Sequence, residues 1–522
     1  MIAPKLHACR SVGKIRPSRH AAEIVTDDAR PLLSPAGRIA LGLALLTVLA
    51  YANNFSGLYL FDDASAITEN PTIRQFSTAL FPGTSGTPVS GRPLVNLTFA
   101  VDYAVAGNDV GIYHVTNLLI HVLAALALFG LLRRTLALPA IAPCFRAAAT
   151  EIAGTVALLW AVHPLQTESV SYLSQRAEAL MGLFYLLTLD GLVRAISTGN
   201  RRWLAASVAA CLAGMASKEV MISAPLLALL FDRTFVAGSF AAALRQRAAY
   251  YAALASTWLL LAAEMIHVGN RGNAVGPGLK VDSWHYALTQ CHAIVLYLGL
   301  ALWPHPLTLD YGTTTVGSLR AVLPQAALLA ALGLATLYYI RQRSALGFIG
   351  AWFFAILAPS SSVVPLAKQT IAEHRMYLPL AAVVLLVVLG LQAAGLRARR
   401  IALLAAPLLA LTLLRNADYV NGITIWEQSV ARYPDNPRAH INLGAAYVNA
   451  GQLQRGADEF EAALRLDPSL PEAHNNLGVA EKLLGQPALA AVEFRAALRL
   501  SPGWIKPRQN LDDLRHSHPE LP

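Results

Sequence analysis

The sequence predicts an all-α protein in two parts: a polytopic membrane helix bundle of about 11 crossings, followed by a C-terminal α-solenoid. Three observations carry this prediction. Of 522 residues, 55% are hydrophobic and 14% charged, with a mean hydropathy of +0.47, whereas a soluble domain carries about 25% charged residues. Twelve apolar stretches are long enough, or nearly so, to cross a bilayer. From about residue 417 the chain turns polar and repeats every 34 residues. No single soluble core could hide this apolar surface, because cores stop growing near ~250–300 residues. A soluble, disordered or nucleic-acid-binding protein is therefore excluded, despite a pI of 9.5 and a net charge of +10.

The apolar stretches fall at 39–54, 112–132, 147–162, 177–194, 203–216, 219–233, 248–268, 284–303, 321–340, 345–358, 377–395 and 400–416. Basic clusters orient them, since lysine and arginine gather in cytoplasmic loops. Residues 415–522 hold 11 Lys/Arg and 13 Asp/Glu, so the positive excess lies wholly in the first 414 residues. Arg133, Arg134 and Arg146, then Arg194, Arg201 and Arg202, then Arg245 and Arg247 alternate correctly with the first six stretches. The alternation slips before Arg341 and Arg343, which predicts that one stretch does not cross. The candidate is 284–303, which carries His285, Gln290 and His292 and is expected to be re-entrant or interfacial. That leaves the N-terminus cytoplasmic and the C-terminus outside. Residues 1–38, with seven basic and three acidic side chains, read as a cytoplasmic tail and not as a signal peptide, whose short basic region abuts its apolar run. Residues 39–416 form the membrane domain, and its longest outer loop, 55–112, is marked by length as functional. Cys9, Cys144, Cys211 and Cys291 are too scattered for a disulfide framework or a metal site.

In the tail, Asn442-Leu443-Gly444 recurs as Asn476-Leu477-Gly478. Asp467-Pro468 and Ser501-Pro502 keep the same spacing, as do Trp426, Phe460 and Phe494, and Ala-Leu-Arg-Leu occurs at 463–466 and 497–500. This is the tetratricopeptide period of two helices per repeat. A domain over 417–505 is expected, with a short tail at 506–522. Two and a half units fall short of the three such repeats need, so they are expected to lean on the membrane domain or on a partner.

Ionisable side chains at membrane depth cost ~2.5–3.5 kcal/mol each on insertion scales, and here they gather on one predicted side. Asp62 and Asp63 open the long loop; two adjacent carboxylates can provide a general base whose neighbour tunes it, or simply cap a turn. Arg92, in Ser90-Gly91-Arg92-Pro93, has the forked donors that grip a phosphate. His114, Asn117 and His121 share a helix face, as a site or as an interhelical network. Glu168, Tyr172 and Arg176 follow at i, i+4 and i+8 along a helix that Pro164 can start. Lys218 and Glu219 fill a short hairpin. Glu373, His374 and Arg375 precede the eleventh stretch, Arg375 being a second phosphate clamp or a snorkelling arginine. No metal motif stands out, and no Gly-rich phosphate loop is present.

Tyr59-Leu60-Phe61-Asp62-Asp63, Asn70-Pro71-Thr72-Ile73, Gly91-Arg92-Pro93-Leu94, Tyr113-His114 with Asn117, His163-Pro164 with Thr167-Glu168, Arg176-Ala177, Lys218-Glu219 and Glu373-His374-Arg375-Met376-Tyr377 occur in that order. The set resembles the transmembrane and tetratricopeptide-repeat containing O-mannosyltransferases, of the GT-C class of membrane glycosyltransferases, over nearly all of 39–502. The resemblance implies a GT-C type bundle and a sugar, mannose in that family, carried on a polyprenyl phosphate in the membrane. It implies transfer with inversion to an acceptor hydroxyl, protein Ser/Thr in that family, on the extracytoplasmic side. Asp62 or Asp63 would be the catalytic base, and Arg92 and Arg375 would bind the donor phosphate. His114, Glu168, Arg176, Lys218 and Glu373 would shape the pocket, and the repeats would recruit a protein or peptide acceptor. The donor is thus a lipid-linked sugar phosphate, and a divalent metal is left open. The Ala- and Arg-heavy composition points to a bacterial inner membrane. Two further readings stand beside this one: a non-catalytic scaffold anchored by the bundle, and a polymerase or ligase of lipid-linked glycans. The acidic pair in the loop after the first helix favours the transferase. No inverted hydropathy repeat suggests a transporter.

Overall fold

The computed structural model describes residues 33–82, 87–268, 281–362, 364–366 and 369–519; the leader up to residue 32, with Cys9, lies outside them. Among the described residues there is no β-strand. The helices run α1 (Pro35–Ala50), α2 (Pro93–Ala106), α3 (Val110–Leu136), α4 (Ala149–Ala161), α5 (Arg176–Thr198), α6 (Arg202–Met215), α7 (Ala224–Asp232), α8 (Phe240–Val268), α9 (Ser283–Leu302), α10 (Leu323–Arg341), α11 (Ala345–Leu357), α12 (Pro379–Ala393) and α13 (Ala405–Val420). Every apolar stretch of the sequence is helical. The long loop holds three short helical segments and the longer α2, which Pro93 opens at a position where its missing N–H costs nothing.

Seven helices are long and apolar enough to cross a membrane among the described residues, and six apolar ones are shorter. The sequence count of 11 draws on both groups. The 13 residues of α4 or α11 extend about 20 Å, less than the ~30 Å of a hydrocarbon core. The stretch expected to be re-entrant or interfacial is the continuous, 20-residue α9, long and apolar enough to cross a membrane. Of its polar residues, Gln290 is buried and donates to Thr370 O at 2.9 Å, whereas His292 is exposed. The expected helix from Pro164 through Arg176 is likewise corrected. It breaks at Tyr172, which is extended, leaving a helical turn over Thr167–Ser171 and a tighter turn over Leu173–Gln175.

The bundle core is built where α3, α4, α5 and α12 pack, around Trp160, Tyr185, Met181 and Leu186. In contrast α10 buries none of its side chains and exposes Leu328, Leu334 and Leu337, a surface suited to lipid. One end of the bundle is rich in short turns: the described residues of 51–82, 87–92, 163–175, 303–322, 359–362, 364–366 and 369–378 gather there and carry many of the buried polar groups.

The repeats sit directly on that end. They comprise α14 (Gly422–Arg432), α15 (Pro437–Asn449), α16 (Leu453–Leu466), α17 (Pro471–Leu483), α18 (Pro487–Leu500) and α19 (Ile505–Ser517). Gly444 lets α15 close on α16, since a Cβ there would come within 2.6 Å of the Phe460 ring, and Gly478 does the same against Phe494 at 2.8 Å. The two short units do lean on the membrane domain. Leu60, Tyr172 and Leu309 share one buried cluster with Trp426, Leu443 and Tyr447 of the first repeat.

Candidate functional site

The acidic pair sits on a tight turn after α1. Asp63 N donates to Leu60 O at 2.9 Å, and Leu60 N donates back to Asp63 Oδ2 at 3.0 Å. Ser174 N donates to the other oxygen, Oδ1, at 2.7 Å. Asp63 is fully buried, and burial raises it to about 7 against the pull of those N–H donors. Phe61 takes a φ of 49° to close the turn, a conformation that costs a non-glycine residue ~1–2 kcal/mol. Its ring is held from above by Trp426 of α14 at 5.9 Å and by the Arg438 guanidinium of α15 at 5.0 Å. Asp62 is half-buried, with its N–H donating to Tyr172 Oη at 3.0 Å, and Arg438 lies within electrostatic range of its carboxylate.

A second group of charges lies around Glu168. His374 meets that carboxylate twice, its N–H at 2.7 Å and its Nδ1 at 2.7 Å. Glu373 accepts from Thr308 N at 2.7 Å and Tyr311 Oη at 2.6 Å. Arg375 is buried and donates to Gln369 O at 2.5 Å and Thr370 O at 3.0 Å, with Gln290, Tyr286 and Ser361 in longer contact at 3.3–3.4 Å. Lys218 is ion-paired with Glu178. Arg92 donates to Pro88 O at 2.9 Å and reaches Glu219 at 3.3–3.4 Å. Lys218, Arg375 and Arg92 all act electrostatically on His374, whose pKa burial drives well below the usual range. Glu168 and Glu373 rise to about 7, chiefly through burial. Burial works against the charge of Arg375, yet Tyr286, Tyr297 and Glu168 hold its pKa above the ordinary value.

One segment joins the two groups. Glu168 holds His374, Tyr172 meets Asp62, and Ser174 meets Asp63. The helical turn between Glu168 and Tyr172 advances about 6 Å. The structure thus brings Arg92, Glu168, Lys218, Glu373 and Arg375 into one neighbourhood and ties it by this segment to Asp62 and Asp63.

His114 and Arg176 belong to an adjoining network, whose Asn117 donates to Val170 O at 3.1 Å in that connecting segment. His114 Nδ1 meets Asn54 Nδ2 at 3.1 Å, and Gly57 packs so closely that a Cβ there would come within 2.5 Å of Nε2. Arg176 is fully buried on Asp102 at 2.6 Å, Asn117 at 2.6 Å and Tyr113 O at 2.9 Å. His121 bridges Tyr377 Oη and Ala161 O, each at 2.9 Å. These bonds tie the turn after α1 to α3, α2 and α3 to α5, and α3 to α4.

Sequence reasoning missed Asp102, Asp310 and Arg438. Arg438 grips Asp310 with two bonds, at 2.6 and 2.5 Å, and Arg432 donates to Thr308 Oγ1 at 2.7 Å. The loop carrying Asp310 also carries Thr308 and Tyr311, the partners of Glu373. No motif flags that loop. Arg438, however, occupies the second position of a repeat helix, where the next repeats have Glu472 and Lys506, and such variation within a repeat is a usable signal.

The buried carboxyls have a testable consequence. Glu373 rises from 4.5 to about 7 in the folded chain. Between those values the unfolded chain has lost the proton that the folded chain keeps, so Glu373 favours folding at low pH and loses that contribution as pH rises through about 7. His374 and His163, held neutral by burial, slope the other way, so only a difference isolates the carboxyl. The melting temperature of Glu373→Gln relative to wild type is expected to rise from pH 5 to pH 8, by a free energy on the order of 3 kcal/mol. A difference that stays flat or falls contradicts the assignment.

Comparison with known proteins follows the same division. A family profile described as tetratricopeptide repeat matches residues 408–471 and 446–503. The chain is 25% identical over 453 residues to the Caenorhabditis elegans protein O-mannosyl-transferase F38B6.6, covering 81% of this chain and 62% of that one. It is 31% identical over 180 residues to human protein O-mannosyl-transferase TMTC1, covering 32% of this chain and 19% of that one. It is 32% identical over 205 residues to Drosophila melanogaster protein O-mannosyl-transferase Tmtc2, covering 36% and 21%. The chain thus spans less than two thirds of the length of these curated relatives. The solved APC/C hetero-tetramer Cut9-Hcn1 aligns over 92% of this chain and 96% of its own at 14% identity, with a TM-score of 0.23, too low to bear on the fold.

Proposed function

Starting from a chain related to the transmembrane, tetratricopeptide-repeat containing O-mannosyltransferases, we propose that it is a membrane glycosyltransferase of GT-C type. It moves a hexose, mannose on the family's pattern, from a polyprenyl-phosphate donor to the hydroxyl of a protein or peptide acceptor. Transfer takes place at the end of the bundle that bears the repeats, on the extracytoplasmic side of a bacterial inner membrane.

The observation that carries the reading is a half-buried carboxylate, Asp62, tied through the segment from Glu168 to Tyr172 to a set of cations around His374. Asp62 takes the acceptor hydroxyl proton as that oxygen attacks the anomeric carbon. The bond from that carbon to the phosphate oxygen breaks, its electron pair leaves with the polyprenyl phosphate, and the configuration inverts. Arg92, with Lys218 and Arg375 behind it, offsets the charge that grows on the leaving phosphate, an electrostatic role often worth most in such reactions. Asp63 and Tyr172 fix the turn, and Glu168 and Glu373 fix the helical turn that carries His374 and Arg375.

The test is the purified full chain in nanodiscs, given synthetic polyprenyl-phosphate-mannose and a Ser/Thr peptide. Expected is a peptide bearing one added hexose of inverted anomeric configuration. Absence of product with polyprenyl-phosphate mannose, glucose and N-acetylglucosamine alike would end the proposal in favour of a scaffold.

A further inference from the structure

The bundle holds a cavity that the proposed reaction does not use. Its volume is about 480 Å³, within the ~300–1,000 Å³ of small-molecule sites. It lies in the half of the bundle away from Asp62, between α3 on one side and α11 and α12 on the other, with Leu189 of α5 and Phe231 of α7 behind. On α3 it begins at Leu128, about 16 Å of helix beyond Asn117, which marks the level of the Glu168–Ser174 segment. The end nearer Asp62 is closed. Trp352 stands there, its indole N–H donating to Leu378 O at 2.9 Å and its ring edge against Tyr185 at 5.4 Å, and Ala381 and Ala382 are buried. The far end is open, with Ala140, Ala142, Gly390 and Ala393 exposed. Between Ala381 and Ala393, α12 rises about 18 Å, close to the ~15 Å that one leaflet's acyl chains occupy in a hydrocarbon core of ~30 Å.

The lining is apolar in its depth and polar only at the open end. Apart from the Trp352 indole, only Thr135 and Ser344 bring polar side-chain atoms to it. Ser344 caps α11, accepting from Leu346 N at 3.2 Å. Thr135, in the last turn of α3, has a buried hydroxyl with no partner among the described residues. A helical threonine ordinarily bonds back to the preceding turn, as Thr47, Thr188 and Thr336 do here. Positive charge surrounds this rim. Arg146 follows the lining residue Phe145, Arg343 precedes Ser344, and both arginines are exposed. Arg343 also holds a φ of 59°, a conformation disfavoured outside glycine. The buried acids of that end are already engaged, Asp190 by Arg134 and Arg194, and Asp232 by Arg247 and the Tyr251 hydroxyl.

We propose that this cavity binds an anionic phospholipid from the leaflet opposite the candidate site. One acyl chain fills the apolar depth up to Trp352, the Thr135 hydroxyl takes an ester oxygen as its acceptor, and Arg146 and Arg343 meet the phosphate and the net negative charge of the headgroup. Basic pockets between membrane helices favour anionic headgroups in this way, and a guanidinium fork matches phosphate oxygens. The charge at the rim selects against the other lipid occupants. A zwitterionic lipid would fill the same depth, but its headgroup brings no net charge to answer the arginines. A polyprenyl chain running down from a phosphate near Asp62 would meet the wall of Trp352 and Tyr185. The proposal is independent of the glycosyltransferase reading, because it concerns the other end of the bundle.

The experiment is native mass spectrometry of the full chain in detergent, offered phosphatidylglycerol and phosphatidylcholine with the same acyl chains in equal amounts. Expected is one retained phosphatidylglycerol per chain, at least tenfold in excess of phosphatidylcholine. Ala382→Trp, which fills the depth, is expected to lower that retention at least tenfold. So is the double variant Arg146→Gln, Arg343→Gln, which leaves the depth intact and removes the rim charge; folding of both is checked by melting. Equal retention of the two lipids, or phosphatidylglycerol retention that survives in the double variant, would overturn the proposal. Because both arginines are exposed, this second arm decides even if Ala382→Trp fails to fold. Retention unchanged in a folded Ala382→Trp would place the lipid elsewhere and overturn it too. Added polyprenyl phosphate is expected not to displace the bound lipid; displacement would assign the cavity to the polyprenyl chain instead.

Discussion

Asp62→Asn is expected to cut sugar transfer by roughly 10²–10⁴-fold, the contribution of a positioned general base, with the melting temperature unchanged. The neighbouring substitution should do the reverse. Both oxygens of Asp63 accept backbone N–H groups, from Leu60 and Ser174. In Asp63→Asn one oxygen becomes an NH2 group facing an N–H donor in a buried site, at about 1–3 kcal/mol for the unpaired groups. The turn that aims Asp62 would loosen, and the melting temperature would fall. Asp62 is the half-buried member, on a turn strained at Phe61 and clamped by Trp426 and Arg438 from the repeats. Strain at such a site persists only where the surroundings over-determine it, and here the surroundings include a second domain. Should Asp63→Asn abolish turnover at an unchanged melting temperature while Asp62→Asn stays active, the two roles are exchanged.

That clamp marks where the sequence stopped being informative. Helix positions were legible because hydropathy responds to lipid whatever the tertiary arrangement, and the repeats were legible because a 34-residue period repeats its own packing glycines. The break at Tyr172 was not legible. Helical spacing put Glu168, Tyr172 and Arg176 on one face, but burial of Tyr172 against Leu60 and Trp426, and its hydroxyl on Asp62 N–H, override a local periodicity. Polar residues were recognised as costly at membrane depth, yet the sequence did not separate Arg176, sunk on Asp102, from Arg92, at the edge of the charged pocket. Partners such as Asp310 and Arg438 are 128 positions apart and meet only because the repeats fold back onto the bundle.

Arg92→Ala is expected to lower kcat/KM for the lipid donor by roughly 10²–10³-fold, the loss typical of one transition-state donor, with little change in stability. The two candidate clamps are built differently. Arg375 gives short bonds to two backbone carbonyls, Gln369 O and Thr370 O, so its donors are committed to the chain and its charge acts from behind. Arg92 gives one short bond to a backbone carbonyl, Pro88 O at 2.9 Å, and its Nη2 meets Glu219 at 3.3–3.4 Å, near the outer limit for such a bond, where a phosphate can take the carboxylate's place. Arg92→Lys should recover part of the rate, because the charge returns without the planar fork. Arg375→Lys should instead lower the melting temperature, as carbonyls buried around the guanidinium lose their donors. If Arg92→Ala turns over the donor normally while Arg375→Lys loses rate at an unchanged melting temperature, the phosphate belongs to Arg375, and the 3.3–3.4 Å contact of Arg92 with Glu219 is only a peripheral ion pair.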